Sequence, residues 1–201
     1  LISRKAEARS NGRIYGIGCS AVVEPSVSNM GYITAVLSPE ERERAGPKNG
    51  AITAVSISLD PLGSVSVVID SVPQGQGHRT AVSQVVAEVF GVAPRDVRVS
   101  SAFDSALTNW SIASGNYSSR FGPAVAGTAH IAASRLRDRL AKRAAAQLNV
   151  VENTIVFGNG KIYSSSNPEN FLAFRRVASA AHWSPGSLAA GVGSTIAETA
   201  Y

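Results

Sequence analysis

Cysteine is nearly absent from this 201-residue chain, where Cys19 stands alone. That excludes an internal disulfide and any metal site made only of cysteines, and it fits a reducing, cytoplasmic setting. Charge is scarce too: 16% of residues are charged, against about 25% in an ordinary globular domain. No apolar run reaches the roughly 18 residues that a membrane helix needs, so the 44% of hydrophobic residues belong to a globular core. The sequence opens on Leu1 with neither an initiator methionine nor a signal-peptide pattern. These features predict a piece of something longer, without a membrane span.

The missing motifs narrow the chemistry further. A net charge of +5 invites a nucleic-acid reading, but no zinc finger, aromatic RNA-binding pattern or Lys/Arg tract accompanies it, and nucleic acid is not expected as a partner. His78, His130 and His182 are scattered, with neither a G-x-S-x-G elbow nor an H-E-x-x-H pair to support nucleophilic or metal-assisted hydrolysis. His130 lies among alanines and is expected to be packed, and His182 is expected to cap a helix C-terminus.

Patterned segments indicate an α+β fold, with hairpins of mixed or antiparallel sheet packed against helices. Residues 14–23 form an apolar, glycine-spaced stretch that suits a buried strand. Residues 38–47 read as a charged surface loop. Residues 52–59 and 64–70 alternate apolar and polar side chains around Asp60-Pro61-Leu62-Gly63, which is a hairpin signal. Ala81, Val82, Val85, Val86, Val89 and Phe90 build one helix face, and Val97-Arg98-Val99 is a short strand candidate. The longest helix is expected from Pro123 to Leu148, with Arg135, Arg139 and Arg143 as a solvated or subunit-contacting stripe. A second hairpin turns at Gly158-Asn159-Gly160, and Asn167-Pro168-Glu169 is expected to start a helix that runs to Trp183.

Two loops carry chemistry. Gln74-Gly75-Gln76-Gly77-His78-Arg79-Thr80 lies between a strand and a helix. Its glycines let backbone N–H groups approach a ligand, and the helix start favours an anion such as a pyrophosphate. Neither the full G-x-G-x-x-G fingerprint nor a Walker loop is present, since Thr80 follows in place of a third glycine. Ser111 to Arg120 precedes the long helix and is rich in hydroxyl and amide side chains, so it too can wrap a phosphorylated ligand.

Taken in order, Gly16-Ile17-Gly18 through Tyr32, Gln74 through Thr80, Gly115-Asn116-Tyr117-Ser118-Ser119-Arg120 and Ala178 through Trp183 resemble the molybdenum-cofactor-binding large subunit of the xanthine oxidase family, notably its carbon monoxide dehydrogenase-like branch. The resemblance implies that residues 1–201 are part of a molybdenum cofactor-binding domain. Gly75, Gln76, Gly77, His78 and Thr80 would line the dinucleotide phosphates, while Ser118, Ser119 and Arg120 would approach the pterin. It further implies molybdopterin cytosine dinucleotide as the cofactor, hydroxylation of a small molecule with oxygen from water, and electrons leaving through FAD and 2Fe-2S clusters on partner subunits of an oligomeric complex.

Other family elements are not matched. The Phe-Gly-Gly loop, the arginine-containing substrate loop and the Gly-Glu catalytic motif are not found, and Glu198 does not reproduce that motif in context. Arg79 stands where an acidic residue is common, and Ser101-Ala102-Phe103-Asp104 keeps only the aspartate of a Gly-Asp-Thr-Asp-like run. The expected role is therefore a segment of the cofactor cradle that does not turn over by itself, built to be covered by the rest of a large subunit. A non-catalytic scaffold and an unrelated nucleotide-binding module are the alternatives.

Overall fold

The computed structural model describes residues 1–23, 36–45, 52–102, 104–106, 119–187 and 193–201. Its centre is the first hairpin. Strand β1 (Val55–Leu59) pairs antiparallel with β2 (Val65–Ile69), with Val55 opposite Ile69 and Leu59 opposite Val65. Asp60 closes the turn by accepting the Leu62 and Ser64 N–H groups, each at 2.8 Å. The period of two then puts Val55, Ile57, Leu59, Val65, Val67 and Ile69 on one buried face.

Helix α3 (His78–Phe90) carries the chain from β2 to β3 (Val97–Ser100), which lies parallel to β2. Strand β7 (Ala197–Ala200) pairs antiparallel with the other side of β1, so the sheet order is β3-β2-β1-β7. A π-helical turn, Phe121–Ala126, leads into the long helix α4 (Gly127–Leu148). Val82, Val86 and Phe90 of α3 and Leu136 and Leu140 of α4 are fully buried in the same core as the sheet's inner face. Each such side chain contributes roughly 1.5–3 kcal/mol of transfer free energy. Ala129, Ala132, Ala133 and Ala144 are also fully buried, and their small size lets α4 approach its neighbours closely.

A second, antiparallel sheet contains β4 (Ile155–Gly158), β5 (Lys161–Ser164) and β6 (Asn167–Ala173). It meets the end of α3 at Gly91, whose carbonyl accepts the Gly160 N–H at 2.7 Å. A Cβ at Gly91 would lie 2.4 Å from the Phe157 carbonyl carbon, so only glycine permits this approach. Helix α5 (Phe174–Trp183) follows β6 and is pinned at its end to the first hairpin. Its Trp183 indole donates to the Pro61 carbonyl at 2.7 Å.

Several sequence expectations change. Asn167-Pro168-Glu169 begins β6 and not a helix, and α5 starts only at Phe174. Pairing with β5, Ile162 opposite Leu172 and Tyr163 opposite Phe171, outweighs the local capping signal, and Pro168 near the start of this outer strand sacrifices no central ladder bond. Residues 38–47 include a short helix, α2 (Pro39–Ala45). Ser38 and Glu41 form its capping box: Ser38 N–H donates to Glu41 at 2.8 Å, and the Glu41 N–H donates to the Ser38 hydroxyl at 3.3 Å. Residues 14–23 are not a buried strand; Ile14, Val22 and Val23 are exposed, and no strand includes them. Helix α1 (Ile2–Ser10) before them also buries no residue.

The arginine stripe is not a uniform solvated face. Arg135 is exposed, but Arg139 is bonded to Glu198 and Arg143 is buried. His182 does not cap its own helix: its Nε2–H donates to the Leu59 carbonyl at 2.8 Å, because a carbonyl can only accept. Among the described residues, no helix is long and apolar enough to cross a membrane.

Candidate functional site

The loop between β2 and α3 presents its backbone outward. Gln74, Gly75, Gln76 and Gly77 are exposed, as is Thr80 in the first turn of α3. Gly75 and Gly77 have φ of +101° and +76°, and a Cβ at either would meet nothing within 4 Å. Space outside this backbone is therefore open to a ligand. Gly77 is the N-cap of α3 and supplies no side-chain cap, which leaves the first-turn donors to be satisfied from outside and keeps the positive end of the helix dipole accessible. Gln76 folds back to accept the Gln74 N–H at 2.6 Å, so its amide nitrogen is the part it can offer a ligand. Arg79 is committed elsewhere, donating from Nε to the Ser101 hydroxyl at 3.1 Å.

His78 faces inward. Its ring is 1% exposed, its Nδ1 lies 3.2 Å from the Ser71 hydroxyl, and it stacks on Phe121 with centroids 3.8 Å apart and planes 4° apart. Burial lowers its pKa below the ordinary histidine range, which favours the neutral imidazole. A phosphate at this loop would thus meet the backbone of His78 and not its ring.

The stack with Phe121 brings the second predicted loop to the first. Ser119, two residues before Phe121, is exposed and has φ of +44°. That left-handed conformation is uncommon for a residue with a Cβ, and such strain concentrates at functional sites. Arg120 is only 1% exposed, and its carbonyl accepts the Ala124 N–H at 2.9 Å. Its guanidinium is consequently covered by protein. Ser118 lies outside the described residues.

Asp70, just after β2 and ahead of the glycine loop, is 4% exposed. Its carboxylate accepts hydrogen bonds from the Thr53 hydroxyl and from the Ala54 N–H, the latter at 2.9 Å. Burial raises its pKa, opposed by the Thr53 and Ala54 bonds and by the positive charge of Arg120. Sequence reasoning missed Asp70, Thr53 and Phe121, because the contacts that matter cross long sequence separations. The visible clue was a lone aspartate ending an alternating apolar strand.

His130 is exposed, not packed, and lines an open groove of about 650 Å³ with Gln84, Glu88, Ser134, Arg137 and Phe157. Glu198 lies in β7 and is held by Arg139 at 2.7 Å and Arg135 at 3.5 Å. Among the described residues, no cluster of three or more His, Cys, Asp or Glu side chains is placed to hold a metal ion.

Residues 2–200 match the family model described as "Molybdopterin cofactor-binding domain". The chain is 28% identical to the nicotine 6-hydroxylase large subunit of Paenarthrobacter nicotinovorans over 95% of its length and 22% of that protein's. It is 30% identical to the carbon monoxide dehydrogenase large chain of Afipia carboxidovorans over 70% of its length and 18% of that protein's. The crystal structure of quinoline 2-oxidoreductase from Pseudomonas putida 86 superposes with a TM-score of 0.70 and 25% identity, covering 99% of this chain and 24% of that one. This chain therefore spans less than a quarter of the length of each of these relatives.

Proposed function

The chain belongs to the molybdopterin cofactor-binding domain family, and from that premise we propose that its Gly75–Thr80 loop and Ser119 turn are two walls of the cradle for a molybdenum–pterin cofactor. The observation that carries this reading is the junction of the two loops at His78 and Phe121. An open glycine backbone, an uncapped helix start and a strained serine turn meet there. The residues fit such a group because its phosphates need close backbone donors, and a Cβ-free surface with nothing within 4 Å admits them.

Each residue then has a distinct task. Gly75 and Gly77 expose N–H groups, Gln76 offers its amide nitrogen, and Thr80 supplies a hydroxyl at the first helical turn. Ser118 and Ser119 approach the pterin side. His78 and Arg120 act from within: the His78 ring holds the loops together, and the buried Arg120 braces the turn that carries Ser119. When bound, the cofactor supplies the redox chemistry of a hydroxylation that draws its oxygen from water.

The same reading extends to the assembly. The relatives named above are a large subunit and a large chain, which supports a multi-subunit oxidoreductase acting on a small molecule. In that assembly the cofactor is the cytosine dinucleotide form, and FAD and 2Fe-2S clusters sit on partner subunits, in the cytoplasm. The catalytic base comes from outside these 201 residues, since Glu198 is committed to two arginines. Metal and pterin analysis of the assembled enzyme tests the proposal. Molybdenum and a pterin dinucleotide in equal amounts are expected; their absence from the purified complex rejects it.

A further inference from the structure

Helix α5 buries Phe174, Val177, Ala178 and Ala181 in the core. Its remaining side chains help to form an open groove of about 520 Å³ between α4 and α5, lined by Arg143, Gln147, Arg176, Ser179, Trp183 and Ser184. Among the described residues, no aspartate or glutamate lines it. Arg143 is 5% exposed and directs an Nη2–H to the Ser184 carbonyl at 3.5 Å. Desolvation lowers its pKa, but a guanidinium starts so far above neutrality that it stays charged. Arg176 lies in the first turn of α5, which holds no acidic residue, so the positive end of the helix dipole adds to its charge. Its neighbour Arg175 reaches Asp96 at 3.7 Å. Arg176 has no such ion pair among the described residues.

Trp183 borders the same groove. It is 70% exposed, yet its indole N–H is tied to the Pro61 carbonyl at 2.7 Å, which orients the ring while leaving most of it in water. Oriented tryptophans and arginines are the side chains that dominate protein–protein hot spots, because they bury much area at a small cost in entropy. Taking from the reading above only that the chain works in a multi-subunit assembly, we propose that this groove docks an acidic segment of a partner subunit, with an aspartate or glutamate at Arg176 and an apolar side chain against Trp183. A free anion would satisfy the arginines but leave the indole bare. Arg176 and Trp183 are seven residues apart, or about 10 Å along the helix axis. An extended partner segment spans that distance in about three residues, and a helical one in about seven.

Two measurements on the assembled enzyme test this. Arg176→Lys keeps the charge and supplies an amine, so a carbodiimide should join residue 176 to an aspartate or glutamate of another subunit, located by mass spectrometry of the linked peptides. Hydroxyl-radical footprinting reports whether Trp183 is covered. Arg176→Glu should speed Trp183 oxidation about tenfold relative to wild type, because reversing one charge of a docked pair drives the segment off. Arg176 is exposed, so the reversal removes no core contact. Lys142→Glu makes the same charge change at an exposed position of α4 outside the groove lining and should stay within about twofold of wild type.

Equal Trp183 oxidation in wild type and Arg176→Glu would overturn the proposal, as would an equal rise in Lys142→Glu. Cross-links from residue 176 that reach only its own polypeptide or a second copy of it name a different occupant and defeat the assignment. A protected Trp183 with no cross-link from residue 176 means an occupant without a carboxylate, and defeats it too. If residue 176 gives no cross-link and inorganic phosphate alone slows Trp183 oxidation, the groove holds a free anion and the proposal fails. Should Arg176→Glu not assemble, the Arg176→Lys cross-link decides by itself. A complex that lacks molybdopterin would reject the cradle reading alone, since the cross-link and the footprint are read without the cofactor.

Discussion

His78 lies flat on Phe121, with 3.8 Å between ring centroids and 4° between ring planes. The first residue of α3 thereby touches the first residue of the π-helical turn that precedes α4. One contact joins the glycine loop to the serine turn, and it depends on an imidazole whose buried environment favours the neutral form.

That dependence has a pH signature. The folded pKa of His78 lies below its ordinary value of 6.5, so the unfolded chain takes up the proton first. The contribution is fully present above about pH 6.5 and is lost as pH falls through the folded pKa. Asp70 has the opposite sign: its raised pKa favours the fold in acid, and that contribution fades as pH rises through the folded value. Thermal melts of wild type and His78→Phe between about pH 7.5 and 5.5 separate the two, because only the wild type should lose stability through the histidine. Parallel curves would show that His78 does not titrate with unfolding.

Gly77→Val should strip the cofactor from the assembled enzyme. Valine strongly disfavours the φ of +76° found at Gly77, and its side chain would occupy the open space beside the loop. Lys142→Ala on an exposed position of α4 should leave molybdenum content unchanged. Equal losses in both variants would show that cofactor content tracks general damage and not this loop.

Gly91→Ala should destabilise the fold by about 3 kcal/mol or more, combining strain at φ +63° with a 2.4 Å approach to the Phe157 backbone. Denaturant unfolding measures this directly. A loss under about 1 kcal/mol would mean that the second sheet can move away from α3 at little cost.

Arg139→Ala should cost about 1–2 kcal/mol. The arginine and Glu198 are each largely buried, with side-chain exposures of 21% and 16%, and they meet at 2.7 Å. Arg135, at 3.5 Å from the same carboxylate and 57% exposed, replaces only part of the lost interaction. A double-mutant cycle with Glu198→Gln isolates the coupling. No measurable coupling would assign the loss to packing of the arginine stem alone.

Much of the architecture follows from local pattern. The alternation in β1 and β2, the helical spacing from Ala81 to Phe90 and the glycine turn at residues 158–160 each appear where expected. The helix expected at Asn167 fails for a nonlocal reason: a cap signal costs or gains about 1 kcal/mol, and β5 offers a whole ladder of bonds to the same residues. Strand β7 was missed similarly, since Ala197–Ala200 becomes a strand by pairing with β1.

The candidate site divides along the same line. Sequence alone determined the glycine loop, the helix start behind it and the serine-rich approach to α4, because backbone freedom and helix-end chemistry are properties of a few adjacent residues. Only the tertiary structure decided that His78 and Arg120 turn inward, that Phe121 completes the stack and that Asp70 is buried against Thr53 and Ala54. Burial and charge pairing depend on what a distant segment places against a side chain, and no local spacing encodes that.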